Sequence, residues 1–377
     1  MSPRVIVIGL GCAGTAACAE LSRRGADVIG LDQFEIGHTR GGSAHQSRAF
    51  RLAYAEHPGY VPLLRAARSR WMELNQQVDE PIFHETGGLY ISRRDSSFAP
   101  DSIAAAQAHG LPHEVVDATV IRDRWPVFDC TDDMVGLFEP LAGLIVPERA
   151  LAAHATIARR AGARLREGVT VSAWRANTVG VEVDTSEGLM RADALVLCTG
   201  AWPGPLVGVP AIEMRPSRQV LVWFDAPAEA RIDAPDLPVW AIELNDASLL
   251  YGFPRMPGLP GPEGFKAARH WPGPTVDPDD VPAMAVRDDD AMDVAPHLAR
   301  WLPSAAGPAG TVHTCLYANS RDGHFRIGLH PDHPQVTIVS CLSGHGFKFQ
   351  PVLGEVAADL ALSGQSALDI DFLAPHA

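Results

Sequence analysis

Val5-Ile6-Val7-Ile8 is an unbroken apolar, β-branched run, the pattern of a parallel strand buried on both faces. From Thr15 to Arg24 the spacing turns helical, with Ala16, Ala17 and Leu21 among good helix formers, and Gly25 ends it. Val28-Ile29-Gly30-Leu31 predicts a second strand, ending at Asp32. The first 32 residues therefore predict a compact βαβ unit. A loop rich in Gly, Ser and His follows from Gly37 to Ser47, then helical spacing from Tyr60 to Gln76. Thr86 to Ile91 and Gly136 to Ile145 read as strands around turns, Leu151 to Ala161 as a helix, and Ala163 to Val183 as two strands. Ala194 to Gly200 predicts another buried strand. The stretch 226–296 is dense in Pro and Gly and reads as sheet with long connections. Val336 to Cys341 is a strand, and Pro351 to Ser363 a helix with Val352, Leu353, Val356, Leu360 and Leu362 as its apolar positions. No internal repeat interrupts this order. It predicts an α/β protein with a Rossmann-type start, antiparallel insertions and a strand and helix returning at the end.

Gly9-Leu10-Gly11-Cys12-Ala13-Gly14 sits between the first strand and the first helix. Gly9 permits the tight turn, Gly11 lets backbone approach a pyrophosphate, and Gly14 lets helix and strand pack closely. The helix N-terminus offers free N–H groups and a positive dipole end to phosphate. Asp32 lies 23 residues after Gly9, near the spacing of a carboxylate that binds ribose hydroxyls and repels a 2′-phosphate. A bare GxGxxG is weak evidence. Between strand and helix, with an acid at the second strand end, it marks a dinucleotide site. It does not choose between NAD and FAD, although its place at the N-terminus leans toward FAD.

The 377 residues suggest two domains, and 46% hydrophobic with 20% charged residues is ordinary globular composition. A formal net charge of −14 with no basic stripe speaks against nucleic acid and against an anionic membrane surface. No apolar run of about 20 residues exists, so no transmembrane helix is expected. Val5 to Cys18 looks like a signal-peptide core, but only Arg4 precedes it and three glycines interrupt it. The six cysteines form no CxxC pair, match no zinc spacing and do not read as a disulfide framework. No metal site and a reducing, cytoplasmic setting are expected.

Three further segments narrow the choice. They are Gly42-Ser43-Ala44-His45-Gln46-Ser47-Arg48-Ala49-Phe50-Arg51, the pair Cys315-Leu316-Tyr317 and Asp322-Gly323-His324-Phe325-Arg326, and Ser343-Gly344-His345-Gly346-Phe347-Lys348-Phe349. With the N-terminus, and with Arg124-Trp125-Pro126, Phe138-Glu139-Pro140, Gly200-Ala201-Trp202 and Tyr251-Gly252-Phe253-Pro254, the chain resembles the monomeric sarcosine oxidase and N-methyltryptophan oxidase family nearly end to end.

That resemblance implies an FAD-binding Rossmann-type (glutathione-reductase-like) domain, expected over 1–82, 146–215 and 321–377. An antiparallel-sheet-containing substrate domain is expected over 83–145 and 216–320. It implies FAD held covalently through the Cys315 thiol, although on composition alone a free cysteine is more often an inert core residue. It implies that Arg51 and Lys348 grip a substrate carboxylate, Arg through its planar fork and Lys as a point charge. Lys266, in Gly264-Phe265-Lys266-Ala267, matches a lysine that stabilises negative charge as electrons pass to O2. Tyr251, His270 and Tyr317 are further candidates for the reaction chamber. Gln33, Ser43, His45, Arg48, Val171, Gly200, Trp202, Gly344, Gly346 and Phe347 are implied to contact the cofactor. One departure stands out. The family places three residues between His and Arg in the Gly-Ser-x-His loop, and here only Gln46 and Ser47 separate His45 from Arg48, which puts His45's role in question.

The implied activity is oxidation of the C–N bond of a small secondary amino acid, sarcosine or another N-methyl amino acid, with O2 reduced to H2O2. The amine must enter neutral, so turnover should rise with pH. The rivals are a tailoring oxidase of a cyclic imino acid, a dehydrogenase serving another electron acceptor, and a flavin-binding protein without catalysis. A monomer is expected.

Overall fold

The computed structural model describes residues 2–202, 204–270 and 273–375. Its first unit is the predicted one: β1 (Arg4–Ile8), α1 (Cys12–Arg23) and β2 (Asp27–Asp32), with β1 and β2 parallel. α1 begins three residues before the predicted start, because Gly14 lies inside the helix rather than in the turn. A Cβ on Gly14 would lie 1.7 Å from the carbonyl oxygen of Gly9. One on Gly9, whose φ is +92°, would lie 2.2 Å from that of Cys198. Helix, turn and neighbouring strand close up at these two positions because neither carries a side chain.

β1 is central to a six-stranded sheet. Its parallel neighbour on the other side is Ala194–Leu197, followed by His333–Ser340 and then antiparallel Arg326–His330; Arg164–Glu167 flanks β2. On one face α1 packs against the helix Gln350–Ser363, in a core that includes Ala17, Leu21, Leu353 and Val356. The other face is closed by a three-stranded antiparallel sheet, Val171–Asn177, Gly180–Thr185 and Gly188–Ala192. The two strands predicted within 163–183 are therefore parts of three. The Asn177 side chain accepts the N–H groups of Val179 and Gly180 and turns the chain sharply, a local break that apolar spacing does not signal.

The second large element is an eight-stranded, mostly antiparallel sheet. Its order is Ala309–Asn319, Arg215–Phe224, Phe265–His270, Leu249–Gly252, Val239–Glu243, Gly88–Arg93, Met134–Glu139 and Glu114–Asp117. One face is a dry core of Val222, Phe224, Leu250, Phe265 and Ala267. The alternate residues face the six-stranded unit. The period of two thus puts Lys266, His270, Tyr251, Cys315 and Tyr317 on one surface. The helix Phe98–Ala108 has no clear predicted counterpart, because its buried face is made of Ala99, Ser102 and Ala106 and lacks an apolar stripe.

Candidate active site

A continuous trough runs between the two sheets. Its outer hollow is bordered by Gly9, Asp32, Gln33, Val171, Thr199 and Trp202. Gly11, Ser43, Cys198 and Gly200 are shared with a middle hollow, which also touches Gly346. Arg48, Tyr317, Gly344 and Phe347 are shared between the middle hollow and an inner chamber with a cavity volume of about 110 Å³. Cys315, Tyr251, His270, Arg51 and Lys348 line that chamber.

The outer part fits a dinucleotide. α1 starts at Gly11 with no side-chain cap and no acid in its first turn, so its dipole end is open to an anion. A Cβ on Gly11 would meet only Ser43 Oγ, at 3.2 Å, so the missing side chain leaves a cradle above the helix start. Ser43 Oγ accepts the N–H of Cys12 at 3.1 Å, tying the loop to the helix. Asp32 accepts the N–H groups of Leu10 (2.6 Å) and Phe34 (2.8 Å) through separate oxygens, each with a lone pair to spare. Thr199 Oγ1 lines the same hollow, buried and without a hydrogen-bond partner. Trp202 donates Nε1 to Asp279 at 2.9 Å and closes the rim beside Phe34.

Arg48 binds the loop that leads into the chamber, donating to the carbonyl oxygens of Gly42 (2.9 Å), Ala44 (2.6 Å) and Ser47 (2.9 Å). His45 does not border the trough. It is buried, stacked on His313 at 4.8 Å, with Nε2 partnerless, and burial with Arg48 nearby holds it down at about 3. His45 and Gln46 both take left-handed conformations (φ 77° and 69°), and the His45 ring lies on His313 rather than in the trough. Gln46 is held by Trp223 Nε1 (2.6 Å) and by the Pro262 carbonyl (2.8 Å).

In the chamber, burial lowers Lys348 to about 7, with Arg51 adding to the effect. Its ammonium donates to the His345 carbonyl at 2.8 Å, and its own carbonyl accepts Trp71 Nε1 at 2.9 Å. Arg51 pairs with Glu56 and donates to the Ala53 carbonyl at 3.2 Å. His270 lies 3.1 Å from the Tyr317 hydroxyl, and burial, then Lys348 and Arg51, hold it at about 4, so it is neutral across the physiological range. The Cys315 thiol is raised by burial, with Arg48 and Lys266 opposing. Tyr54, Tyr90 and Phe98 also line the chamber; as large aromatics they read in sequence as ordinary core.

Lys266 is brought to the same sheet face but does not line the chamber. The residue is 3% exposed, and its Nζ donates to the His45 carbonyl (2.5 Å), the Ser47 carbonyl (3.1 Å) and Ser47 Oγ (3.2 Å). It borders a separate hollow walled by Phe253 and the 254–264 loop. Among the described residues no cluster of His, Cys, Asp or Glu is placed to hold a metal, and no helix is long and apolar enough to cross a membrane.

A family model described as FAD dependent oxidoreductase matches residues 4–360. The chain is 38% identical to monomeric sarcosine oxidase of Streptomyces avermitilis, covering all of this chain and 98% of that one. It is 34% identical to N-methyl-L-tryptophan oxidase of Salmonella dublin, covering 97% and 96%. Among solved structures it is similar to NikD, an amino acid oxidase essential for nikkomycin biosynthesis, with a TM-score of 0.83 and 26% identity over 99% of this chain and 97% of that one.

Proposed function

The chain belongs to the FAD dependent oxidoreductase family, and from that premise we propose that it oxidises the C–N bond of a small secondary amino acid, an N-methyl amino acid first of all, and delivers the electrons to O2. The observation that carries the reading is the meeting of Arg51, Lys348 and Cys315 in one chamber at the inner end of the trough. FAD, when bound, supplies the two-electron acceptor.

Arg51 and Lys348 hold the substrate carboxylate. Glu56 already sits on one nitrogen of the Arg51 guanidinium, so the substrate carboxylate shares the guanidinium with a carboxylate of the protein or displaces it. Leu249 and Phe98 wall the chamber and exclude water, which strengthens both charge contacts. Neutral His270 with Tyr317 and Tyr251 forms an uncharged polar edge that does not repel an amine, and none of the three is needed as a base. The similarity to NikD, described as an unusual amino acid oxidase essential for nikkomycin biosynthesis, supports a second reading, a tailoring oxidase whose amino acid is held by the same two cations.

The test is a screen of N-methyl and cyclic amino acids for anaerobic bleaching of the flavin, followed by a peroxide assay in air. Bleaching by carboxylate-bearing secondary amines and not by their amides is expected. Bleaching by none would refute the proposal, and bleaching without peroxide would point to another acceptor.

Cys315 is the proposed tether for FAD. Acid precipitation of the wild type should leave the flavin in the pellet, and Cys315→Ser should release it to the supernatant. A colourless wild-type pellet would exclude the tether.

A further inference from the structure

Phe138-Glu139-Pro140 belongs to the family-like sequence, yet nothing above uses Glu139. It ends the strand Met134–Glu139 and is 1% exposed. Its carboxylate accepts the backbone N–H of Leu52 at 2.7 Å and of Ala53 at 3.2 and 3.3 Å. These amides lie just beyond the short strand Arg48–Phe50, in irregular chain with no ladder to join. Burial raises Glu139 to about 7; the two amides and then Arg51 oppose the rise, and Tyr90 faces it from the adjacent strand. An apolar residue in this space would leave both amides without an acceptor, so the acid serves by what it accepts.

The residues on either side of the two held amides are Arg51 and Tyr54. The Arg51 guanidinium lies 4.4 Å from the Tyr54 ring centre and its Nη1 donates to Ala53. Lys348 Nζ lies 5.2 Å from the same ring. The ring is thus shared by both cations of the clamp. Its hydroxyl is fixed as well. His345 Nε2 is 2.9 Å from the Gly323 carbonyl, which only accepts, so Nε2 carries the proton and Nδ1 accepts from Tyr54 at 2.6 Å.

We propose that Glu139 is a positioning residue for substrate-carboxylate recognition: by holding Leu52 and Ala53 it fixes Arg51 and Tyr54 relative to Lys348. The inference rests on the carboxylate clamp of the proposed function. It identifies a residue of the substrate site that is out of reach of the substrate.

The test uses the holoenzyme with acetate as a carboxylate probe, titrated by the change in flavin absorbance, so that no turnover is required. Glu139→Gln keeps size and one acceptor oxygen; it should weaken acetate binding about tenfold, and Glu139→Ala more. Hydrogen exchange at Leu52 and Ala53 should speed up in parallel. With the best substrate of the bleaching screen, KM should rise while kcat stays within about threefold. Faster exchange with unchanged acetate affinity would overturn the proposal, leaving Glu139 a structural acid only, as would unchanged values throughout. A wild type that does not bind acetate would remove the clamp itself and this inference with it, an outcome distinct from failure of the variants alone. If Glu139→Ala does not fold, Glu139→Gln decides.

Discussion

Arg51→Ala is expected to raise the KM for the amino acid about a hundredfold while changing kcat far less. Truncating one partner of a buried, hydrogen-bonded charge pair costs roughly 2–5 kcal/mol, and about 1.4 kcal/mol corresponds to a factor of ten. Lys348 remains in the chamber as a second cation, which places the loss toward the lower half of that range. The carboxylate does not react, so its contacts serve ground state and transition state alike, and the loss falls on KM. Arg51→Lys should recover part of the affinity, because it restores charge without the planar fork that matches a carboxylate. Steady-state kinetics on the three proteins check this. A KM unchanged in Arg51→Ala would mean that the carboxylate is held elsewhere.

The nucleotide half of the fold was legible in the sequence because its signals are local. A β-branched run, three glycines and an acid at the second strand end define a unit whose parts all lie within 32 residues. The chamber was legible only through segments that resemble known relatives, since its residues come from strands far apart in the chain: Arg51, Tyr251, His270, Cys315 and Lys348. Periodicity shows that one face of Phe265–His270 differs from the other. It does not show that the Lys266 and His270 face meets Cys315 and Tyr317, which the order of strands in the sheet decides. Tyr54, Tyr90 and Phe98 were hidden for a related reason: an aromatic lining a cavity and one filling a core carry the same pattern. His45 is a different case. The motif places it beside the cofactor, the shorter loop puts that role in question, and the structure stacks it on His313.

The Lys266→Met variant is expected to slow reoxidation by O2 about 10²- to 10³-fold and to change the rate of reduction by the amino acid only a few-fold. Lys266 donates to three oxygens of the His45–Ser47 turn and lies 5.1 Å from the Trp223 and Phe253 ring centres. Among the described residues no carboxylate is bonded to it, and burial, aided by Arg48, holds it well below the ordinary lysine range. Burial weakens the protonated form and only Glu148, which does not touch it, opposes that from the carboxylate side, so negative charge that develops as electrons pass to O2 would stabilise the protonated lysine. The magnitude is that of removing one preorganised donor from a site where charge develops. Methionine keeps the length and apolar stem, so the change is mainly one of charge. Lys266 lies outside the chamber that holds Arg51 and Lys348, so reduction by the amino acid should not depend on it directly. Stopped-flow measurement of the two half-reactions separates the effects. Equal slowing of both would show that Lys266 works instead through its three contacts, as a clamp on the left-handed turn at His45 and Gln46.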